Sequence, residues 1–196
     1  MRTISRRCAF GTAIALAFGL TAVAQERNAP PSRANAPDRG SVTSDQTFLK
    51  EAAEGGLAEV ELGQLAIEKS SNENVKRFAQ RMVEDHGKAN EDLQQLAAQK
   101  GVSLASEPSA KQKAKKERLS KLSGDEFDRA YMSDMLKDHR ADIVAFEQES
   151  DSGTDSDIKK FASQALPTLR EHLKQAESVT GKIEQASNKP EGPVQQ

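Results

Sequence analysis

The spacing of apolar side chains between residues 44 and 184 constrains the fold more than any other feature of this sequence. Apolar residues recur at intervals of three and four, and the alternation typical of strands is almost absent. The same stretch is rich in Ala, Leu, Glu, Lys and Gln, which favour helices. A period near 3.6 residues places apolar side chains along one face of a helix. The chain is therefore predicted to be all-α.

Capping residues and breaks divide this region into four long helices and a short one. Ser44-Asp45 is a typical helix start, Ser70-Ser71-Asn72 interrupts the pattern, and Gly101 is a typical residue after a helix end. Proline within the last helix removes a backbone donor and predicts a bend. The predicted helices cover 44–70, 72–100, 109–122 (short and basic), a third long helix from just after Asp125 to 150, and a fourth from 154 to about 184, bent at Pro167.

The connection between the second and third long helices determines the topology. A turn between antiparallel neighbours needs only a few residues, but the segment from Gly101 to Gly124 is much longer. A helix of about 26 residues is about 39 Å long, and this segment can run back along it. Such a crossover is typical of ferritin-like bundles. We predict an antiparallel four-helix bundle, ferritin-like, over residues 44–184, with a long crossover that carries a short helix.

The N-terminal residues have the pattern of a signal peptide. Arg2, Arg6 and Arg7 precede an apolar run from Cys8, which ends in Ala22-Val23-Ala24. We predict cleavage after Ala24 and a periplasmic protein. The alternative is an uncleaved N-terminal membrane anchor, although the run is shorter than a span of about 20 residues. Ser5-Arg6-Arg7 only weakly resembles a twin-arginine signal, so the choice between Sec and twin-arginine export stays open.

Removal of residues 1–24 changes the composition that matters. The only cysteine would be lost, so the mature protein could form no disulfide and offer no thiolate. The 28 basic residues would become 25 against 30 acidic ones, a net charge of −5. Residues 25–43 contain three prolines and no apolar periodicity and are predicted to be a disordered tether. Residues 185–196 are predicted to be a disordered tail.

All three histidines of the chain fall on the apolar faces of predicted helices. His86, His139 and His172 lie on the second, third and fourth long helices, and Glu59 lies on the first. Counting from the turns places Glu59 and His86 at one level, whereas His139 and His172 are predicted to lie about 9 Å apart along the bundle. One inward ligand from each helix would form a site for one divalent ion of zinc, copper or iron.

Two other interpretations of these four residues stay open. They could pair with one another, with Tyr131 or with aspartates, and so fix how the helices align. Alternatively, they could be partly exposed and have no shared role. The acids Asp85, Asp138 and Glu171 directly precede the three histidines and are predicted to be surface groups or outer partners of a site. Met82 and Met135 lie four residues before two of the histidines and would suit copper or simply fill the core.

A basic run occupies the predicted crossover. It could contact anionic lipid headgroups at the cell envelope or form a solvated face. Nucleic acid is not an expected partner, because the run contains no aromatic residue for base stacking. No sequence motif for hydrolysis or phosphate binding is present, so we do not expect an enzyme. The run consists of Lys111, Lys113, Lys115, Lys116, Arg118 and Lys121.

Four strings resemble a large family of exported ferritin-like proteins. They are SDQTFL (44–49), EVELGQLA (59–66), VKRFAQRMVEDH (75–86) and FASQALPTLREHL (161–173). The family is catalogued as a domain of unknown function, and its members are often described as outer-membrane proteins. The resemblance covers about residues 44 to 180. It implies a ferritin-like fold and no established reaction.

The sequence departs from di-iron ferritins at the positions that hold their iron. Those proteins place a glutamate three residues before histidine on two helices. Here Val83, Leu136 and Leu169 occupy the corresponding positions. A di-iron centre is therefore not expected. Two hypotheses result: a non-enzymatic bundle of the cell envelope, stress-related by analogy with the family, or a bundle that binds one metal ion through Glu59, His86, His139 and His172.

Overall fold

The computed structural model describes residues 39–187, and helices are the only regular secondary structure over this range. This confirms the predicted all-α bundle. The predicted signal peptide (1–24), the tether up to residue 38 and the tail from residue 188 lie outside the described residues. Within the described range, no helix is long and apolar enough to cross a membrane. The five helices are α1 (Arg39–Lys69), α2 (Glu73–Gln99), α3 (Ala110–Ser120), α4 (Gly124–Ser152) and α5 (Ser156–Ser187).

The four long helices pack as two hairpins, α1 with α2 and α4 with α5. Helix α2 also packs on α5, and α1 packs on α4. The Nζ atom of Lys100, just after α2, lies 2.7 Å from Oδ2 of Asp155, just before α5. At the opposite end of the bundle, Lys69 Nζ donates to the carbonyl of Ser120, the last residue of α3. Helix α3 therefore returns along the bundle, as the predicted crossover requires.

The start of α1 differs from the prediction. The helix begins at Arg39, so Ser44-Asp45 is not its cap. The buried Asp45 carboxylate instead accepts hydrogen bonds from the backbone N–H of Thr154, from the Thr154 hydroxyl and from the backbone N–H of Asp155. These groups precede α5. Asp45 thus satisfies free amides at the start of another helix, where a negative charge is also favoured.

Both ends of α2 form as the sequence predicts. Asn72 is the N-cap, and its side chain accepts from the backbone N–H of Asn74 at 2.9 Å. At the other end Gly101 has a φ of 66°, which favours glycine. The backbone N–H of Val102 bonds the carbonyl of Ala97, and that of Gly101 bonds Ala98, which is the Schellman pattern.

The core consists of two apolar clusters at different levels of the bundle. The larger contains Phe78, Met82, Phe127, Met132 and Met135 among others, and it packs where α3 ends against the long helices. The smaller is built around Phe48, Leu49, Leu93 and Ile158 near the other end. Between them lies a layer of buried polar side chains. This layer holds the predicted site.

The basic run of α3 is mostly engaged within the protein. Lys115 pairs with Asp138 and Arg118 with Asp134, both on α4. Lys116 pairs with Glu61 of α1 at 2.9 Å. Lys113 pairs with Glu107 and Lys121 with Glu117. The pairs of Lys115, Lys116 and Arg118 join the crossover to α1 and α4, whereas the last two lie within the crossover. An envelope contact through this run stays a prediction.

Glu149 of α4 gives the fold a specific pH dependence. It is buried, and the Asp45 carboxylate lies close enough to act on its charge. Burial, and then the negative charge of Asp45, raise the pKa of Glu149 from 4.5 to about 7. The folded protein therefore holds this proton more tightly than the unfolded chain does. The stabilisation is complete below about pH 4.5 and is lost as the pH rises through about 7.

We expect Glu149→Gln to reduce this pH dependence. Urea unfolding at pH 5 and pH 8 measures the free energy of unfolding of both proteins. From pH 5 to pH 8 the free energy of unfolding should fall less in Glu149→Gln than in wild type, because the amide does not ionise. Glu147→Gln is the control, since Glu147 is exposed and pairs with Arg170. An equal fall in wild type and Glu149→Gln would contradict the assignment.

Candidate metal centre

The four predicted site residues lie together in the polar layer between the two apolar clusters. Their exposed fractions are 3% for Glu59, 7% for His86 and 0% for both His139 and His172. One ring nitrogen from each histidine lies within 4.8 Å of the corresponding nitrogens of the other two. The interpretation of these side chains as partly exposed bystanders is therefore wrong. Four helices each contribute one inward polar group.

The predicted offset between His139 and His172 is too large. Helix α4 continues to Ser152 and α5 begins only at Ser156. His139 lies 13 residues before Ser152, and His172 lies 16 residues after Ser156. A difference of three residues corresponds to about 4.5 Å, about half of the predicted offset. Side chains of this length span the remainder.

Glu59 forms the electrostatic centre of the layer. Its Oε2 lies 3.0 Å from Nδ1 of His86, and its Oε1 lies 3.4 Å from Nδ1 of His139. Burial alone would raise the pKa of the Glu59 carboxyl, but the charges of His86 and His139 outweigh it and hold the pKa at about 2. Burial likewise acts to lower the pKa of His86, and the Glu59 carboxylate reverses this and raises it. The carboxylate is thus ionised and holds a proton on His86 Nδ1.

The other two histidines each have one ring nitrogen fixed by an acceptor. His172 Nε2 lies 2.8 Å from Oδ2 of Asp85, a residue of α2. The pKa of Asp85 is lowered: burial alone would raise it, but hydrogen bonds from His172 and Arg81 outweigh this effect. His139 Nδ1 lies 3.0 Å from the backbone carbonyl of Met135. A carboxylate and a carbonyl can only accept, so each of these nitrogens carries a proton.

The tautomers that follow leave two lone pairs facing each other. A neutral imidazole has one N–H, so His139 Nε2 and His172 Nδ1 each present an unshared pair. These two atoms lie only 3.3 Å apart. Burial lowers the pKa of His172 to about 4, so this ring is neutral at neutral pH. Either an extra proton on His139 or a cation bound by both nitrogens resolves the conflict.

His86 presents a third buried ring nitrogen, Nε2, whose proton a metal ion would displace. Glu59 holds its Nδ1, and its Nε2 is buried with no hydrogen-bond partner among the described residues. A buried polar atom left unpaired costs on the order of 1–3 kcal/mol. Each of the three rings therefore has one nitrogen held by an outer acceptor and one left over. This is the arrangement in which proteins hold histidine ligands of metals.

Asp142 is a residue of this layer that the sequence analysis missed. It lines the same cavity as His86 and is half-buried on α4. Burial, and then the charge of Glu59, raise the pKa of Asp142 to about 8. It is therefore protonated at neutral pH and can donate a hydrogen bond. Its position three residues after His139 places it on the same side of α4, which is a spacing that could have identified it.

The remaining candidate partners lie elsewhere. Asp138 pairs with Lys115, and Glu171 accepts from Gln175 at 2.9 Å, so neither acid contacts the histidine that follows it. Tyr131 is fully buried and stacks on Phe127, and its hydroxyl has no hydrogen-bond partner among residues 44–187. Of the three acids that precede histidines, only Asp85 reaches the layer.

A cleft opens from the polar layer toward solvent. Its volume is about 630 Å³, and its lining includes Glu59, Asp85, His86, Asp142 and His172. His139 is not part of the lining and lies behind the other two histidines. Gly55 and Gly56 of α1 contribute wall positions without side chains. The histidine cluster is therefore approached from the side of His86 and His172.

Comparison with known proteins identifies the fold and a family without naming a reaction. The model of a family described as a domain of unknown function (DUF4142) matches residues 29–179. A DUF305 fragment from Deinococcus radiodurans is structurally similar, with a TM-score of 0.64 at 16% identity, over 71% of this chain and 96% of that one. A DUF305 protein from Streptomyces coelicolor, described as secreted, has a TM-score of 0.63 at 14% identity, over 72% and 92%. No curated protein matches the chain.

Proposed function

Because the chain belongs to the DUF4142 family, whose description states no activity, we propose its function from the geometry of the polar layer. We propose that the protein binds one divalent transition-metal ion between α2, α4 and α5. Its role is binding rather than catalysis, and it acts after export, in the periplasm. The observation that carries this proposal is the close approach of His139 Nε2 and His172 Nδ1, 3.3 Å apart, while the other nitrogen of each ring faces an outer acceptor.

The distance between these nitrogens supports a shared ion. A tetrahedral site with bonds of about 2.1 Å separates its ligand atoms by about 3.4 Å. Two imidazoles that only filled a core would turn an N–H toward a lone pair, as buried polar groups do. Here Met135 and Asp85 each hold the N–H of one neutral ring, so only an extra proton on His139 could supply that contact. A cation at this position would satisfy both nitrogens.

The third ligand is the free ring nitrogen of His86, and Glu59 orients this ring. In this arrangement Glu59 is an outer partner that holds Nδ1 of His86, and Nε2 of His86 is the ligand. The donor set of three imidazoles suits zinc, copper or iron, which accept nitrogen ligands where no thiolate is present. Met82 and Met135 lie within the larger apolar cluster, so their sulfur atoms add no argument for copper.

The charge of the layer also fits one ion. Glu59 and Asp85 are carboxylates beside rings that become neutral when they bind a metal. Two negative charges therefore balance one divalent ion. A second ion would need further carboxylates, but Val83, Leu136 and Leu169 stand where di-iron proteins have them. The centre is thus mononuclear.

Export is supported by the sequence pattern of residues 1–24 and by the description of the Streptomyces coelicolor neighbour as secreted. In the periplasm a protein without a thiolate keeps its metal site when conditions are oxidising. A role in stress, which rests on family analogy, would act through the bound metal.

Titration of metal-free protein with Zn²⁺ tests the proposal. We expect one equivalent to bind and the melting temperature to rise with the concentration of free Zn²⁺, because binding to the folded state alone stabilises it. Asp85→Asn should weaken binding about 10- to 100-fold, since it removes the carboxylate that fixes the His172 ring. Elemental analysis after gel filtration gives the stoichiometry, and calorimetry gives the affinities.

Glu84→Gln is the matched control for Asp85→Asn, because Glu84 is the exposed neighbour on α2. It should bind Zn²⁺ as the wild type does. If Zn²⁺ leaves the melting temperature of the wild type unchanged, the facing nitrogens share a proton rather than a metal. The layer would then only fix the alignment of the helices.

A further inference from the structure

The cleft beside the polar layer has the dimensions and lining of a small-molecule site. Pockets for such ligands commonly have volumes of about 300–1,000 Å³, and this one has about 630 Å³. We infer that it admits a small organic molecule with a nitrogen-donor head and an apolar body, whose head coordinates the bound metal. This inference rests on the proposed metal site and adds its ligand.

The position of the cleft relative to the histidines carries the first step. His86 and His172 line its floor, whereas His139 closes the site from behind. His86 is 93% buried, since only 7% of it is exposed, and its Nε2 has no hydrogen-bond partner in the part of the chain that the structure describes. Three protein ligands leave at least one position of a tetrahedral ion to another donor. The cleft is the side from which that donor arrives.

The chemistry of the lining determines the class of ligand. The floor carries the carboxylates of Glu59 and Asp85, which disfavour an anionic head. A neutral nitrogen donor avoids this repulsion. Asp142, which is also on the floor, offers a hydrogen-bonding group beside the metal. The rest of the lining is mixed, and it includes the charged residues Lys88, Asp92, Asp157 and Lys160. Its apolar part would bury the body of the ligand and consists of Leu93, Leu96, Phe146, Phe161, Ala165 and Leu169, among others.

One wall position of the cleft on α1 has no side chain and faces open space. Gly55 lies one turn before Glu59 on the same face and lines the cleft. A Cβ atom at Gly55 would meet nothing within 4 Å. A larger side chain therefore fits there without strain and projects into space that the ligand would use. Gly181 of α5 has the same freedom and is not part of the lining, so it provides a matched control.

The test uses protein purified from the full-length chain and loaded with Co²⁺, whose visible absorption reports its ligands. Imidazole and 4-phenylimidazole are titrated separately. We expect both to change the spectrum and 4-phenylimidazole to bind at least about tenfold more tightly, because its phenyl ring is buried against the walls. Gly55→Leu should weaken 4-phenylimidazole at least about tenfold with the spectrum of the unliganded Co²⁺ protein unchanged. Gly181→Leu should leave both affinities as in the wild type.

Three results would overturn the inference while the metal site stands: a Co²⁺ spectrum that neither compound changes, equal affinities for the two compounds, or full binding by Gly55→Leu. Failure of the wild type to bind Co²⁺ is a different result. It would remove the proposed function itself and this inference with it. The spectrum recorded before any compound is added separates the two cases.

Discussion

His86→Ala will abolish the stabilisation of the protein by Zn²⁺. At a free concentration 1,000 times the dissociation constant, a single site stabilises the wild type by about 4 kcal/mol. For a domain of this size that corresponds to a rise in melting temperature of about 10 °C. Removal of one of three imidazoles should weaken binding enough to bring this rise close to zero. Thermal unfolding with and without Zn²⁺ measures it.

The alanine also leaves a cavity, so the comparison must be made within each variant. Met82→Ala is the matched control. Met82 lies one turn before His86 on the same face, is fully buried, and belongs to the larger apolar cluster. Its truncation should cost about 2–5 kcal/mol with or without metal. Zn²⁺ should still raise the melting temperature of Met82→Ala. If Zn²⁺ also raises the melting temperature of His86→Ala, His86 is not a ligand.

Glu59→Ala will destabilise the metal-free protein by about 3 kcal/mol. The variant removes the ionised carboxylate that both His86 and His139 face, and it leaves a buried imidazole without the charge that holds its proton. The loss should appear as a lower free energy of unfolding in urea at pH 7. The cost should be at least as large once Zn²⁺ is bound, because Glu59 also orients the His86 ring whose other nitrogen binds the metal.

Glu61→Ala tests whether the effect is specific to the buried carboxylate. Glu61 lies two residues further along α1 and pairs with Lys116 of α3 at 2.9 Å, with both side chains well exposed. Exposed ion pairs contribute about 0–1 kcal/mol. A cost for Glu59→Ala no greater than that for Glu61→Ala would show that the polar layer does not depend on its central charge.

The amino-acid sequence was sufficient to predict most helix bounds. The Asn72 cap and the glycine at 101 gave the ends of α2 because such signals act within a single turn. The predicted start of α1 was wrong, because a residue of the cap type need not cap its own helix. Aspartate is a common cap, but the carboxylate of Asp45 accepts from backbone amides just before α5. The residues around Asp45 in the sequence do not indicate this distant partner.

The sequence predicted which residues form the candidate site better than it predicted their hydrogen-bond partners. Periodicity placed Glu59, His86, His139 and His172 on inward faces, because a helix repeats with a fixed period. Asp142 was missed, since its neighbour Ile143 fits the apolar face and no motif marks the acid. The contact of Asp85 with His172 joins α2 to α5, and helix spacing within α2 contains no information about that partner.

What this sequence determined by itself is the number of helices, their inward faces and the crossover between the hairpins. These depend on backbone periodicity and on caps, which are local properties of the chain. The tertiary structure alone decided which ring nitrogens face each other, which acids hold them and that a cleft opens beside them. Those features depend on distances of about 3 Å between different helices, and such distances follow from how all four helices pack together.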